Sequence, residues 1–139
     1  MSWHTTKRRQ TDILFSRYLR HKNAKEHELN NHFGGKYGVC VKCKKWKEIN
    51  LLQVSHFHSR RKESVRFDEE NCDILCGGCH RYFESHKTEY EVWKINNIPG
   101  GAHAFARLTL RANQVKKRDD KLTMMWLKTL EGYPWKVAA

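Results

Sequence analysis

Acidic residues are scarce in this chain. Its 139 residues hold 15 Asp and Glu against 27 Lys and Arg, a formal net charge of +12. A surplus of that size favours a polyanionic partner, nucleic acid before any other. Proline and glycine are also few, 2 and 8. They gather at Gly34-Gly35 to Gly38 and at Pro99-Gly100-Gly101, where they read as punctuation between structured segments. No apolar run approaches the roughly 18 residues of a membrane helix, so no membrane association is expected. The basic stretch Met1 to Arg20 has no apolar h-region of a signal peptide, which leads to the expectation of a cytoplasmic protein. A chain of this length fits one domain with a modest core.

The punctuation divides that domain into a basic helical arm (1–39), a central Cys/His-rich unit (40–100) and C-terminal helices (101–139). Ile13, Leu14, Phe15, Tyr18 and Leu19 form an apolar stripe and predict an amphipathic helix over Thr11 to Asn30. Two strand signals follow, Leu51 to His58 and Ser64 to Phe67. Period-two alternation would put Leu52, Val54, His56 and His58 on one face of the first. Helical spacing resumes from His80 to Asn96, with Phe83, Tyr90 and Trp93 as buried anchors. It returns over Ala102 to Asn113 and Asp119 to Leu130, where Phe105, Leu108, Leu122, Met125, Trp126 and Leu130 supply the apolar faces. Methionine and aromatic residues at this spacing are core or interface rather than a cofactor box.

The chain has 5 cysteines. Without a secretory signal, metal binding is favoured over a disulfide framework. Cys40-Val41-Lys42-Cys43 and Cys76-Gly77-Gly78-Cys79 each let two thiolates turn onto one ion. Two such knuckles make a closed four-cysteine site, structural rather than catalytic, and zinc is the expected metal. A redox CxxC would not need a second copy. Cys72 lies outside both knuckles and reads as a buried free thiol.

Between and just after the knuckles come His56 at the end of a strand, Asn71 in the next loop and His80 at the opening of a helix. That is the HNH layout. Phosphodiester hydrolysis needs a base to deprotonate water and a cation to hold charge on the phosphate. His56 is the expected base, since an imidazole titrates near neutrality. Asn71 can hold the loop through backbone hydrogen bonds. His80, with His58 and Glu84 beside it, would carry the catalytic ion; Glu84 is one helical turn from His80. Arg60, Arg61 and Arg66 are candidate phosphate clamps.

The runs SHFHSRR, VRFDEEN and CGGCHRYF resemble the NinG/Rap recombination endonucleases of lambdoid phages, which carry GHF-x-SRR, RFDE-x-N and C-x-x-CN in the same order. The resemblance runs from about Phe15 through Gly100. It implies a branched-DNA nuclease acting on Holliday junctions and D-loops, and so a homodimer with two active sites. The frame is also similar to phage endonuclease VII, a junction resolvase with a four-cysteine zinc, whose active-site positions fall here on Ser55, His56, His58 and His80. Two residues depart from these patterns. Ser55 stands where endonuclease VII has an acidic ligand, and His80 where NinG-type proteins have asparagine. Ser55 is a poor ligand for Mg2+, so the ion would be held by His58, His80 and waters, or be a softer Mn2+ or Zn2+. The expected fold is α+β, a zinc-anchored ββα-metal core with flanking helices. The expected activity is DNA cleavage. The competing readings are a non-catalytic zinc-dependent DNA-binding module and a general HNH nicking enzyme.

Overall fold

The structure, a computed structural model, describes residues 8–25 and 36–130. Among these it is a mixed α+β fold of five α-helices and two small antiparallel sheets. No helix among the described residues is long and apolar enough to cross a membrane.

Helix α1 spans Gln10–Lys25 and buries Leu14, Phe15 and Leu19, part of the stripe read from the sequence. Asp12 accepts a hydrogen bond from the Arg9 amide at 2.7 Å and so caps the first turn. Positions 26–30 of the expected helix, and Gly34-Gly35, lie outside the described residues. At the other end of α1, Asn23 acts as a surrogate strand. Its amide group donates to the Val39 carbonyl at 3.0 Å, and its side-chain oxygen accepts from the Val39 amide at 2.9 Å. That approach requires glycine at 38, where a Cβ would lie 2.6 Å from the Asn23 oxygen and 2.7 Å from Leu52.

Strands β1 (Tyr37–Val39) and β2 (Trp46–Glu48) form a hairpin around the first CxxC, which the sequence patterning did not reveal. The knuckle between them closes with Lys44 at φ 64°, its amide donating to the Cys40 carbonyl at 2.8 Å. Strand β3 (Leu52–His56) pairs antiparallel with β4 (Cys72–Cys76), with Ser55 opposite Asp73 and His56 opposite Cys72. The expected strand at Ser64–Phe67 is therefore misplaced. Residues Glu63–Val65 wind into a 3-10 turn, in which the Val65 amide donates to Lys62 at 3.0 Å. Val65 and Arg66 are buried side by side there, and an alternating strand would send one of them outward. The true partner strand runs into the second cysteine motif and ends on its first cysteine, Cys76.

Helix α2 (Gly77–Ser85) follows β4 directly, and Cys76 caps it by accepting from the Cys79 amide. The single helix expected over 80–96 is two. His86 breaks the run at φ −130°, and α3 (Lys87–Asn97) continues from it. Phe83 and Tyr90, one from each helix, stack with ring centroids 4.3 Å apart. The turn at Gly100 (φ 94°) and Gly101 (φ 63°) needs the left-handed freedom of glycine and starts α4 (Gly101–Ala112). Helix α5 spans Asp120–Thr129. Its buried residue is Leu127. Leu122 and Met125, expected inward, are more than half exposed, while Trp126 packs its ring toward Phe15 and Tyr18.

Two apolar clusters result. The larger joins α1, the β3–β4 hairpin, α2 and α3. The smaller, of Val65, Ile98, Ala104, Leu108 and Ala112, lies under the loop between β3 and β4. Arg66, fully buried between α1 and that loop, meets Asp12 through two hydrogen bonds of 2.9 and 2.5 Å and donates a third to the Arg60 carbonyl. Arg66 is thus a buried structural cation and not the phosphate clamp expected from the sequence. Removing its partner leaves an uncompensated charge in the interior. Asp12→Ala is expected to lower unfolding free energy by about 3–5 kcal/mol, read as a shift in urea midpoint. A change below about 1 kcal/mol would contradict the pairing.

Candidate metal centre and basic cleft

The four thiols of Cys40, Cys43, Cys76 and Cys79 lie within 4.8 Å of one another, a cluster that could hold a structural metal ion such as zinc. The two hairpins bring them together. The Cys43 amide donates to Cys40 Sγ, and the Cys79 amide to Cys76 Sγ, each at 3.5 Å. Cys43 Sγ and Cys76 Sγ are 3.9 Å apart, close to the edge of about 3.8 Å for a tetrahedron of Zn–S bonds. Burial opposes ionisation throughout the cluster. At Cys76 the Cys79 amide and the neighbouring thiols outweigh it and lower the pKa to about 7, while at Cys79 burial and the hydrogen bonds to Cys76 and Cys40 push the thiol up to about 12. The four thiols thus share their protons unevenly, and it is a bound cation that would hold them all as thiolates. A thiolate is the ligand form a metal needs. Cys72 stays outside the cluster, half-buried against the larger core, and burial pushes its thiol up.

On the far side of β3 an open cleft of about 800 Å³ runs between α1 and the hairpin. One face of α1 forms a wall. Asp12, Ser16 and Arg20, spaced by four, line it, with Arg8 just before the helix. Strand β3 contributes Gln53, Ser55 and His56, α2 contributes His80 and Glu84, and Arg60 and Lys87 complete the rim.

Within the cleft, His56 Nε2 lies 2.9 Å from the Arg66 carbonyl. A carbonyl only accepts, so Nε2 carries the proton and Nδ1 keeps its lone pair. Burial lowers the His56 pKa to about 4, partly offset by that carbonyl, so the ring is neutral near pH 7. Asn71, fully buried, holds the backbone that follows. Its oxygen accepts from the His58 amide at 2.8 Å, and its amide group donates to the carbonyls of His58 (2.9 Å) and Val65 (3.1 Å). His80 Nδ1 donates to Gln53 Oε1 at 2.6 Å, leaving the Nε2 lone pair 3.3 Å from the Glu84 carboxylate.

His58 departs from its expected place. Strand β3 ends at His56, so alternation no longer governs residue 58. Its ring lies against Phe57 and reaches Thr109 of α4 at 3.4 Å, and it does not line the cleft that holds His80. Arg61 is exposed and does not line the cleft; Arg60 does. Ser55 is buried, and its hydroxyl donates to Tyr90 at 3.0 Å. Tyr90 in turn donates to Asp73 at 2.7 Å, and Lys94 pairs with Asp73 at 3.1 Å. Asp12 and Gln53 are among the cleft residues that motif reading missed, with Ser16, Arg20 and Lys87. The polar i, i+4 file along α1 carries a trace of Asp12, and strand alternation with Ser55 a trace of Gln53.

The His56 shift has a consequence for stability. Above pH 6.5 the ring is neutral folded and unfolded, and it contributes nothing. Between 6.5 and about 4 the unfolded chain takes up a proton that the native ring refuses, so stability falls with pH by up to about 1.4 kcal/mol per unit. Asp12 adds to this at lower pH. Burial opposes its ionisation, but the Arg66 hydrogen bonds win and hold its pKa below the ordinary value, so protonation costs stability there too. Urea melts from pH 7 to 4 should show the loss beginning near 6.5. His56→Gln should flatten the upper part of that slope; an unchanged slope would show that His56 titrates normally.

The chain matches no protein-family model, no curated protein and no solved structure.

Proposed function

We propose that the protein is a metal-dependent DNA endonuclease of the HNH class, with zinc on its four cysteines. One observation carries the reading: a neutral His56 with its Nε2–H held by a backbone carbonyl shares a basic cleft with His80. In hydrolysis His56 Nδ1 takes a proton from water as the water oxygen bonds to phosphorus, the bond from phosphorus to the leaving deoxyribose oxygen breaks, and that oxygen takes up a proton from solvent water. Arg60 and Arg20 face the phosphate charge. Asn71 and the Arg66 carbonyl keep the base in place.

The donor set at His80 fits a divalent ion. Its Nε2 and the Glu84 carboxylate are two acceptors side by side, which a cation satisfies. Mg2+ is commonly held by few protein groups, with waters and substrate phosphates completing its shell; Mn2+ is the softer alternative. The ion would supply charge neutralisation at the scissile phosphate. Ser55 and Asp73 do not compete for it, because Tyr90 and Lys94 already engage them.

The resemblance to NinG/Rap endonucleases extends the proposal to branched substrates such as Holliday junctions and D-loops, cut by a homodimer. The test is nicking of supercoiled plasmid and of a labelled four-way junction with added Mg2+ or Mn2+. Metal-dependent cleavage is expected. Binding without cleavage under any ion would leave a zinc-dependent DNA-binding module, and equal cutting of linear and branched DNA would leave a general nicking enzyme.

A further inference from the structure

The cleft has a neighbour that the proposed chemistry does not use. A second groove of about 600 Å³ is lined by Arg8, Arg9, Thr11, Arg118, Lys121 and Met124, with Gln10 and Asp120. Arg8 lines both hollows, so the two adjoin across the start of α1. Four cations face this groove, against the single carboxylate of Asp120. Arg9 is already engaged by Glu63 at 2.6 Å and by Asp120 at 2.7 Å, and Arg118 also leans on Asp120. Those carboxylates leave Arg8 and Lys121, both exposed, and an Arg118 side chain that is 62 % exposed. The segment leading in adds exposed Lys116 and Lys117, the basic run that the cleft leaves unexplained. Crowding of like charge reaches Arg60, whose pKa is lowered first by burial and then by Arg66, Arg8 and Arg9, with Asp12 opposing.

We propose that this groove is a second phosphate-binding site, carrying the backbone of duplex DNA away from the cleft over the start of α1 and onto the N-terminal turn of α5. The inference rests on the reading of the cleft as a DNA-cleaving site, and it extends the contact beyond the reacting phosphate. Duplex DNA presents one charge per roughly 1.7 Å of axis, so a track of two adjoining hollows meets several phosphates at once. Such contacts fix register and orientation and read no sequence.

The test measures binding by the full chain carrying His56→Ala, so that DNA survives the experiment. The probe is a labelled duplex of about 24 base pairs, titrated across salt concentrations. In that background Lys121→Gln is expected to reduce the slope of log K against log salt by about 0.9, and Lys121→Gln with Arg118→Gln by about 1.8. At about 0.1 M salt the double variant should bind at least roughly tenfold more weakly. Lys128→Gln, on α5 but outside the groove, should leave both quantities unchanged. Circular dichroism on each variant checks the fold. A slope unchanged in both groove variants, with the parent still binding, overturns the second site and leaves the cleft standing. A loss equal in the Lys128 variant also overturns it, because the effect would then follow net charge alone. A parent that binds no duplex at any salt overturns the groove as a duplex track, and one that also binds no four-way junction fails the cleft reading with it.

Discussion

Cys43→Ser is expected to leave the chain largely unfolded and without bound metal, while Cys72→Ser folds and keeps its ion. The contrast follows from where the thiols lie. Cys43 is one of four within 4.8 Å, whereas Cys72 sits on β4 outside that group. The cluster reinforces a small hairpin otherwise held by Asn23 on Val39 and by the Val41 amide on the Ile74 carbonyl of β4. Strands β1 and β2 are three residues each, and a two-stranded hairpin of that size is not stable alone. The metal would tie this hairpin to β4 and to the first turn of α2, and Cys40 is itself fully buried in the larger core. Structural zinc contributes about 10–16 kcal/mol in small zinc-folded units, against a whole-domain stability of about 5–15 kcal/mol. Losing one thiolate from a closed site should therefore remove most of the native state. Metal content measured on purified protein, with thermal melts before and after chelation, checks this. One zinc per chain and a melt that collapses with chelator are expected. A Cys43→Ser protein that melts like the parent would show that the thiols carry no structural ion.

What could be read in advance was chemistry fixed by local spacing. Two CxxC pairs announce one four-thiol cluster, because two residues between cysteines suffice to turn both inward wherever the strands run. The C-terminal helices were legible too, at Gly101–Ala112 and Asp120–Thr129 within a residue or two of expectation, since their periodicity is long and their starts are marked. Less legible was anything set by tertiary contact. Arg66 sits in an exposed-looking charged stretch between Glu63 and Asp68, yet Asp12, 54 residues earlier, draws it into the interior. His58 has the parity of His56, but the strand ends between them, and Asn71 pins the backbone beyond. The pairing of β3 with Cys72–Cys76 instead of Ser64–Phe67 depended on which segment could bury Ile74 and Leu75 under α1. The face α5 turns inward was equally beyond its own pattern, because Leu127 rather than Leu122 or Met125 meets the core.

His56→Ala is expected to lower the rate of metal-dependent cleavage by about 10²–10⁴-fold, the range for losing a positioned general base. Substrate binding should change little, because the side chain is half-buried in the cleft wall and adds no charge to it near pH 7. The size of the effect follows from how completely the ring is held. Its Nε2–H is committed to the Arg66 carbonyl at 2.9 Å, so Nδ1 is the atom left to accept a proton. Arg66 cannot drift, because Asp12 fixes its guanidinium from α1, and Asn71 holds the chain just beyond through His58. The proposed base is therefore held by a path running from α1 through Arg66 to the end of β3. Two further readouts separate catalysis from architecture. The acidic limb of kcat/KM against pH should lie below 6.5, toward about 4, since burial keeps the ring neutral there. Added imidazole should restore part of the cleavage to the alanine variant, by entering the space the side chain vacates, and should leave the parent unaffected. Arg66→Lys should give a partial loss of kcat with KM retained, because lysine keeps the charge near Asp12 but not its paired hydrogen bonds. Cleavage by His56→Ala at the parental rate, with fold and metal content intact, would remove the histidine from the chemistry. Cutting would then be done by other groups, and the route from Arg66 to His56 would be architecture alone.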